Sequence, residues 1–423
     1  MKRLFIFLLI GFSINTYSQE IESENWITDL NFLKTELPKK HKNLFHKLTK
    51  QEFENGIENI KNQLDEDTDI ETSIKLNQLI SQIGDSHTYL STSHILKKRK
   101  SIPLGLMWFK NGLYVSGTTK DNYEILDKKL ISINGFKVDR IIDSLKTLFV
   151  HENIAEINKN TPRLLKGKVL LKYFGFSKPN DSIYTLELIN SKGELTNYKL
   201  EETDNSTRNN RNKIYMKVSN EKPFYMNGSR KVFKEKYYPK EKIYFVQYNK
   251  CVSKETIEKY GNKEFAYKYP SFKEFETKVL ETLRNEDIDK LIFDMRFNQG
   301  GSSYLAENLI KQISENKNIN KKGKLFVAVG NKTFSSAIFN TVDFIENTNA
   351  TIIGEKTGGK PNHYGNIKTF LLPYSGIKVT YSSEFYKLND KNESTITPEV
   401  LIERTHEDYK NGVDPIFEYV KKQ

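Results

Sequence analysis

The chain has 423 residues, with 66 lysines and arginines against 54 acidic residues and one cysteine. The formal net charge of +12 comes from lysines scattered along the sequence, so the charge does not indicate nucleic-acid recognition. A single cysteine, Cys251, excludes any intrachain disulfide, and we expect it to be a small buried apolar residue. The length predicts two or three domains. No Walker-type loop, Cys/His metal spacing or fixed-period repeat is present, so we expect no cofactor and no metal.

Residues 1–18 are typical of a secretory signal peptide, with a basic start, an apolar run from Leu4 to Phe12 and small or polar residues before Gln19. The apolar run is too short to span a bilayer, and no later stretch approaches 18 apolar residues. We therefore expect export to the periplasm or the extracellular space, cleavage after Ser18 and no integral membrane segment in the mature protein. The sequence does not indicate an oligomeric state.

Residues 19–95 have a helical pattern, with one apolar stripe that includes Trp26 and Leu33 and another that ends at Gly84. The tetrapeptide Asp85-Ser86-His87-Thr88 follows directly. A histidine at such a place is usually structural, and an aspartate can simply cap a turn.

Residues 100–202 change to short strands with polar turns. Asn111-Gly112 between two apolar runs predicts a β-hairpin, and a helix is predicted from Val138 to Leu148. Residues 203–241 are charged and poor in apolar periodicity, which predicts a linker or insertion with little core of its own.

Residues 242–423 alternate strands with helices, which predicts a mixed and largely parallel α/β domain. One predicted strand, 291–294, runs into Gly300-Gly301, and Asp294 and Arg296 are expected to form an ion pair beside that turn.

A second predicted strand, 325–329, ends in a turn at Asn331 to Ser335, and a helix follows. Ser335 stands at the helix start, where free backbone N–H groups can stabilise an anion. The simple alternative is that Ser335 only caps the helix. After a further short strand, three glycines let the chain turn back and bring Lys360 to the same corner.

These segments resemble the C-terminal processing, or tail-specific, serine peptidases, whose relatives include the tricorn protease core and the interphotoreceptor retinoid-binding proteins. The resemblance rests on Thr333-Phe334-Ser335, on the loop Gly354-Glu355-Lys356-Thr357-Gly358-Gly359-Lys360 and on the Asp-x-Arg-x-Asn-x-Gly-Gly element at 294–301. It implies a crotonase-like α/β catalytic domain beside an N-terminal helical region and a PDZ-like β-rich module. It also implies protein or peptide substrates.

The resemblance implies roles for individual residues. Ser335 would be the nucleophile and Lys360 the general base, with Gly300 or Gly301 and Ser336 forming the oxyanion hole. Ser86-His87 resembles the Ser-His dipeptide of tricorn, which makes His87 a rival base that Glu393 would orient. In the PDZ-like module, Leu104-Gly105-Leu106 is the candidate for binding a substrate carboxylate.

We favour Lys360 as the base, because its 25-residue spacing ties it to Ser335 on one domain, whereas domain packing must bring in His87. A lysine base must be neutral, so burial must lower its pKa by several units. Two departures leave the third catalytic member open, since Ile338 and Tyr364 stand where the family often has an acidic residue and a glutamine. The alternatives are a non-catalytic binder of peptides or apolar ligands and an esterase-like hydrolase.

Overall fold

The computed structural model describes residues 21–96, 101–203, 212–228 and 231–423. The predicted signal peptide lies outside the described residues. Within them, no helix combines the length and the apolar character needed to cross a membrane.

The N-terminal region is helical, as predicted. Its elements are α1 (Ser23–Lys40), α2 (Lys50–Lys61), α3 (Asp69–Ser81), a short strand β1 (Tyr89–Ser91) and α4 (Ser93–Leu96). Capping boxes at Thr49 and Thr68 start α2 and α3, because each threonine hydroxyl and the glutamate three residues later satisfy backbone N–H groups that the helix leaves free. The apolar faces of the three helices then pack together.

A middle module follows, built on an antiparallel sheet with the strand order β2-β3-β4-β6-β7. The predicted hairpin is confirmed between β2 and β3, where Phe109 pairs with Gly112 and Lys110-Asn111 form the turn. Its strands are β2 (Gly105–Phe109), β3 (Gly112–Thr119), β4 (Lys129–Ile133), β5 (Phe136–Lys137), β6 (Ile183–Ile189), β7 (Leu195–Glu201) and β8 (Lys213–Tyr215). Its helices are α5 (Val138–Leu145), α6 (Ile154–Leu164) and α7 (Lys168–Tyr173).

The C-terminal domain has a six-stranded sheet with the order β16-β13-β12-β11-β10-β9, parallel except for the antiparallel edge strand β9. Its strands are β9 (Phe233–Tyr238), β10 (Ile243–Tyr248), β11 (Lys290–Asp294), β12 (Leu325–Val329), β13 (Thr351–Gly354) and β16 (Val400–Leu401). The hairpin β14 (His363–Leu371) and β15 (Lys378–Tyr386) projects from the same segment of chain. The helices are α8 (Lys254–Tyr260), α9 (Phe272–Asn285), α10 (Glu307–Glu315), α11 (Ser336–Asn347), α12 (His406–Lys410) and α13 (Pro415–Lys421).

Both faces of this sheet are covered, which explains why β10 and β12 are buried along their whole length. Helices α9, α10 and α11 cover one face, and α13 covers the other through Ile416 and Val420. The predicted mixed α/β architecture is confirmed.

A third sheet, with the strand order β1-β15-β14, joins the N-terminal region to the C-terminal domain. Strand β1 pairs antiparallel with β15, with Leu90 opposite Val379, and the N-terminal helices pack on this hairpin. The tetrapeptide 85–88 is thereby held at the C-terminal domain. The structure also gives the charged segment 203–241 two strands, β8 beside β3 and β9 at the edge of the six-stranded sheet.

Candidate active site

The turn between β12 and α11 holds Ser335 in a strained backbone conformation, with φ 54° and ψ −127°. Positive φ is uncommon for a residue with a side chain, and such strain is concentrated at functional sites. Although Ser335 stands at the N-cap position, its side chain accepts no capping hydrogen bond. The hydroxyl is therefore free for another role.

Asn298, which is fully buried, fixes this corner to the neighbouring strand. Its carbonyl oxygen accepts the N–H of Phe334 at 3.0 Å, and its side-chain amide donates to the carbonyl of Tyr248 at 3.0 Å. Thr333 adds a hydrogen bond from its hydroxyl to the carbonyl of Met295 at 2.9 Å. These hydrogen bonds hold Thr333 and Phe334, the two residues before Ser335, in place.

Gly300 lies directly against the serine, since a Cβ at that position would come within 2.8 Å of the Ser335 Cβ and 2.9 Å of the Ser336 nitrogen. The N–H of Gly300 donates to Asn298 Oδ1 at 2.9 Å and is therefore already used. The N–H groups of Gly301 and Ser336 have no acceptor among the described residues. Of the donors predicted for an oxyanion hole, these two remain available.

His87 reaches this corner through the pairing of β1 with β15. Its imidazole stacks on the ring of Phe334, the residue before Ser335, with 4.6 Å between centroids. Both His87 and Ser335 line the same cavity. The Nε2 atom of His87 is buried and has no hydrogen-bond partner among the described residues.

The carboxylate of Asp85 lies beside both the backbone and the ring of His87. Its carboxylate is 2% exposed and accepts the backbone N–H of His87 at 2.9 Å, with 3.9 Å from Oδ1 to the His87 Nδ1. Burial alone would raise the pKa of Asp85, but hydrogen bonds from His41, Ser382 and Thr88 and the neighbouring imidazole hold it well below its usual range. Asp85 is therefore an anion that fixes the loop carrying His87.

The His87 imidazole is neutral at physiological pH. Burial is the main cause that lowers its pKa to about 4, against the attraction of Asp85, and the charges of His363 and Lys159 lower it further. A neutral imidazole with a free nitrogen is the state a general base needs.

Lys360, the base that the sequence favoured, points elsewhere. Its ammonium forms an ion pair with the carboxylate of Glu152, and the hydroxyl of Ser86 donates to the same carboxylate at 2.7 Å. Lys360 is absent from the described lining of the cavity that contains Ser335. Among the described residues, the Lys360 ammonium therefore contacts a carboxylate and not Ser335.

His363 follows the glycine-rich loop 354–360 and lies next to His87. Its Nδ1 donates to the carbonyl of Lys360 at 2.9 Å, and its ring stacks on His87 with 5.6 Å between centroids. Gly359 packs against the backbone of Phe334 and the side chain of Ile338. Ile338 is thus an apolar contact between α11 and the loop.

Three other positions that the sequence analysis singled out are not in the described lining of the cavity that contains Ser335. Glu393 is exposed and makes no hydrogen bond or ion pair with the described residues. Tyr364 packs against the rings of His41 and His46 in the N-terminal region. In the segment 104–106, the N–H of Leu104 donates to the carbonyl of Ile102 at 2.7 Å, so it is not free for a carboxylate.

The predicted pair of Asp294 and Arg296 is present, with 3.0 Å from Asp294 Oδ1 to the arginine Nε. The guanidinium also binds Asp414 with two hydrogen bonds of 2.9 and 3.1 Å. Cys251 is buried, and burial raises the pKa of its thiol to about 12, which agrees with the predicted structural role.

A cavity of about 1780 Å³ opens beside the serine, between α6, the loop after β10 and the hairpin β14–β15. Sequence reasoning missed several residues of this region. Asp85 was visible in its motif but was attributed to a turn, whereas His363, Glu152 and Lys159 carried no local signal because they lie on separate segments.

Part of the chain matches a known protein family. Residues 266–402 match the model of peptidase family S41. No curated protein matches the chain. Mature CPAF is similar in structure, with a TM-score of 0.61 at 14% identity over 95% of this chain and 96% of that one.

Mature CPAF complexed with lactacystin gives the same TM-score and identity, over 95% and 97% of the two chains. The photosystem II D1 C-terminal processing protease aligns over 95% and 96% at 11% identity, with a TM-score of only 0.39. The CPAF structures share the fold of this chain, and the family match covers the strand, corner and loop that hold Ser335. Residues 266–402 of the chain are therefore similar to peptidase family S41.

Proposed function

We propose that this protein is an exported serine endopeptidase in which Ser335 is the nucleophile and His87 is the general base. The observation that carries the proposal is that His87, with its buried and unpartnered Nε2, lines the same cavity as Ser335, whose backbone is strained and whose hydroxyl is free. A nucleophile and a base in one water-accessible cavity are what acyl transfer requires.

In the proposed reaction, the Ser335 oxygen attacks the carbonyl carbon of the scissile peptide bond, and its proton passes to His87 Nε2. The oxygen of the tetrahedral intermediate takes up the negative charge and accepts hydrogen bonds from the N–H groups of Gly301 and Ser336. The C–N bond then breaks while His87 gives its proton to the leaving amine. Water, deprotonated by His87, hydrolyses the acyl-enzyme and frees the serine.

Asp85 acts in this scheme as a positioning residue, because it binds the backbone of His87 and its charge stabilises the imidazolium that forms in each step. Lys360 has a structural role, since it compensates the charge of Glu152 and thereby holds the loop that carries His363. Ser86 belongs to the same carboxylate network and not to the proton path.

The proposal includes two assignments of architecture. The C-terminal domain is crotonase-like, and the middle module is PDZ-like in its order of hairpin, strand and helix. We assign substrate binding to the cavity and not to 104–106, since α6 packs on β2 and the indole of Trp108 donates to Thr161 across that contact. A non-catalytic binding protein, the rival function, would not need the unpartnered Nε2 of His87.

A fluorophosphonate probe tests the nucleophile directly. The mature wild-type protein is expected to be labelled on Ser335 and to cleave unfolded protein substrates, whereas Ser335→Ala is expected to lose both activities while keeping its thermal stability. Ser336→Ala is the matched control, because it is the adjacent serine and keeps the backbone N–H. Labelling that survives in Ser335→Ala would overturn the assignment. Mass spectrometry of the exported protein tests the expected N-terminus at Gln19.

A further inference from the structure

A second histidine, His41, contacts the carboxylate of Asp85. It is the residue that directly follows α1, and its side chain is fully buried. The His41 Nε2 lies 3.1 Å from Asp85 Oδ2, whereas the backbone N–H of His87 donates to Asp85 Oδ1 at 2.9 Å. The two histidines therefore contact the two oxygens of one buried carboxylate.

The place of the ring proton of His41 follows from its other nitrogen. The backbone N–H of Asn43 donates to His41 Nδ1 at 3.0 Å, so Nδ1 is an acceptor and carries no proton. The proton is thus on Nε2, which donates to Asp85. Burial raises the pKa of Asp85, and the hydrogen bond from His41 is the largest of the effects that lower it instead.

The other side-chain donors to Asp85 act on the same oxygen as His41. The hydroxyl of Thr88 donates to Oδ2 at 2.5 Å, and the hydroxyl of Ser382 donates to it at 2.6 Å. Oδ1 is left to His87, with the backbone N–H at 2.9 Å and Nδ1 at 3.9 Å. Because the two oxygens have separate partners, the plane of the carboxylate is fixed with Oδ1 toward the His87 ring.

Strand β14 contacts both histidines through two consecutive residues. The ring of Tyr364 lies 5.4 Å from the ring of His41, and the ring of His363 lies 5.6 Å from that of His87, each measured between centroids. A buried ring that is packed in this way has a fixed orientation. The direction of the hydrogen bond from His41 to Asp85 is therefore set by the tertiary structure.

The charge of Asp85 bears on which nitrogen of His87 carries the ring proton. A histidine that accepts a proton at Nε2 must carry its own proton on Nδ1. The Asp85 Oδ1, 3.9 Å from the His87 Nδ1, favours a proton on that nitrogen and stabilises the imidazolium that forms later. Without the donor at Oδ2, the carboxylate would hold this charge and this direction less well.

We infer that His41 is a positioning residue for the proposed reaction, in which its Nε2–H holds the Asp85 carboxylate so that Oδ1 faces the His87 imidazole. The inference rests on the proposed function, which makes His87 the general base. His41 is absent from the described lining of the cavity that contains Ser335, so it acts through Asp85 and not on the reacting atoms.

Two amide variants of His41 form a matched pair that differs only in reach. The glutamine amide of His41→Gln reaches the position of Nε2, whereas the amide of His41→Asn is one methylene shorter and ends near Nδ1. We expect His41→Asn to lower kcat for a quenched fluorescent peptide roughly tenfold at unchanged KM, the size of one hydrogen bond to a charged group. His41→Gln should recover most of this loss. Equal losses in the two variants, or full kcat in His41→Asn, would overturn the inference.

Controls distinguish positioning from a general loosening of the N-terminal region. His94→Asn is matched, because the His94 Nε2 also donates to the C-terminal domain, to the carbonyl of Ser375 at 2.8 Å, without contacting Asp85. It should keep kcat, and a loss equal to that of His41→Asn would overturn the inference. Adding His41→Asn to Asp85→Asn should slow turnover by less than about twofold, because both changes act through one carboxylate. Losses that multiply would also overturn it. If His41→Asn does not fold, His41→Phe replaces it and keeps a ring beside Tyr364.

A measurement without turnover separates this inference from the proposed function. Nitrogen NMR of the Ser335→Ala protein with isotope-labelled histidine reports the tautomer of each ring, and His87→Ala assigns the His87 signal. We expect the Nδ1–H tautomer at His87, a smaller share of it in His41→Asn and a restored share in His41→Gln. This result supports the inference even if the wild type cleaves nothing and the peptidase proposal fails. An unchanged tautomer in His41→Asn, alongside an active wild type, leaves the peptidase proposal standing and rejects the inference.

Discussion

The choice of general base can be decided by comparing His87→Ala with Lys360→Met. In the structure, the His87 Nε2 is buried, unpartnered and on the wall of the serine's cavity, whereas the Lys360 ammonium is paired with Glu152. We therefore expect His87→Ala to abolish peptide hydrolysis and Lys360→Met to keep it. This outcome is the reverse of the preference that sequence spacing suggested.

The two variants should differ in what they lose. Removing a general base lowers kcat by about 10² to 10⁴-fold, and members of a nucleophile and base unit lose activity together. Lys360→Met instead leaves the Glu152 carboxylate, whose side chain is only 8% exposed, without its counter-ion. We expect this change to cost about 1 to 3 kcal/mol of stability and less than about tenfold in kcat.

The assay combines hydrolysis of a quenched fluorescent peptide at pH 7.5 with the rate of fluorophosphonate labelling and with urea unfolding. Glu152→Gln together with Lys360→Met is the matched control, because it removes both charges of the pair and should recover much of the lost stability. If Lys360→Met is as inactive as Ser335→Ala while remaining folded, and His87→Ala stays active, our assignment of the base is wrong.

Four further predictions follow from the geometry of the site. Burial lowers the pKa of His87 to about 4, so kcat/KM should rise with pH through about pH 4 to 5 and be flat by pH 6. A rise centred at pH 6.5 or above in the pH-rate profile would contradict the assignment of His87 as the base. Asp85→Asn should lower kcat and the labelling rate by on the order of 10²-fold with little change in KM, and a loss confined to thermal stability would show that Asp85 is only structural. Burial raises the pKa of Glu156 from 4.5 to about 7, so the folded protein loses stability as pH rises through this window. Urea unfolding should therefore show Glu156→Gln to be more stable than the wild type by up to about 3 kcal/mol at pH 8, but not at pH 4.5. Gly300→Ala should lower the free energy of unfolding by about 2 to 4 kcal/mol and abolish labelling, because φ is +99° and the new Cβ meets the Ser335 Cβ. Gly323→Ala, at φ +79° in open space, should lower the free energy of unfolding less and leave labelling intact.

The sequence by itself determined the local architecture of the catalytic domain. The continuous apolar run at 325–329 indicates a strand covered on both faces, and the structure places it inside the parallel sheet. The corner at Ser335 and the turn at Gly300-Gly301 were also visible, because each is encoded within a few residues by turn chemistry and a following helix. The hairpin at Asn111-Gly112 was predictable for the same reason.

Only the tertiary structure decided which groups meet the serine. His87 is far from Ser335 in sequence, and it reaches the cavity because the three-residue strand β1 pairs with β15, which local periodicity does not encode. The glycine loop lies beside the corner, since the N–H of Gly359 donates to the carbonyl of Thr333, but the Lys360 ammonium is paired with Glu152 from another module. The contact of His41 with Asp85 has the same origin, since a helix pattern shows where α1 ends but not which side chains that end contacts. Long-range packing sets both the orientation and the charge environment of these side chains, and that is why sequence spacing favoured the lysine while our proposal assigns the histidine.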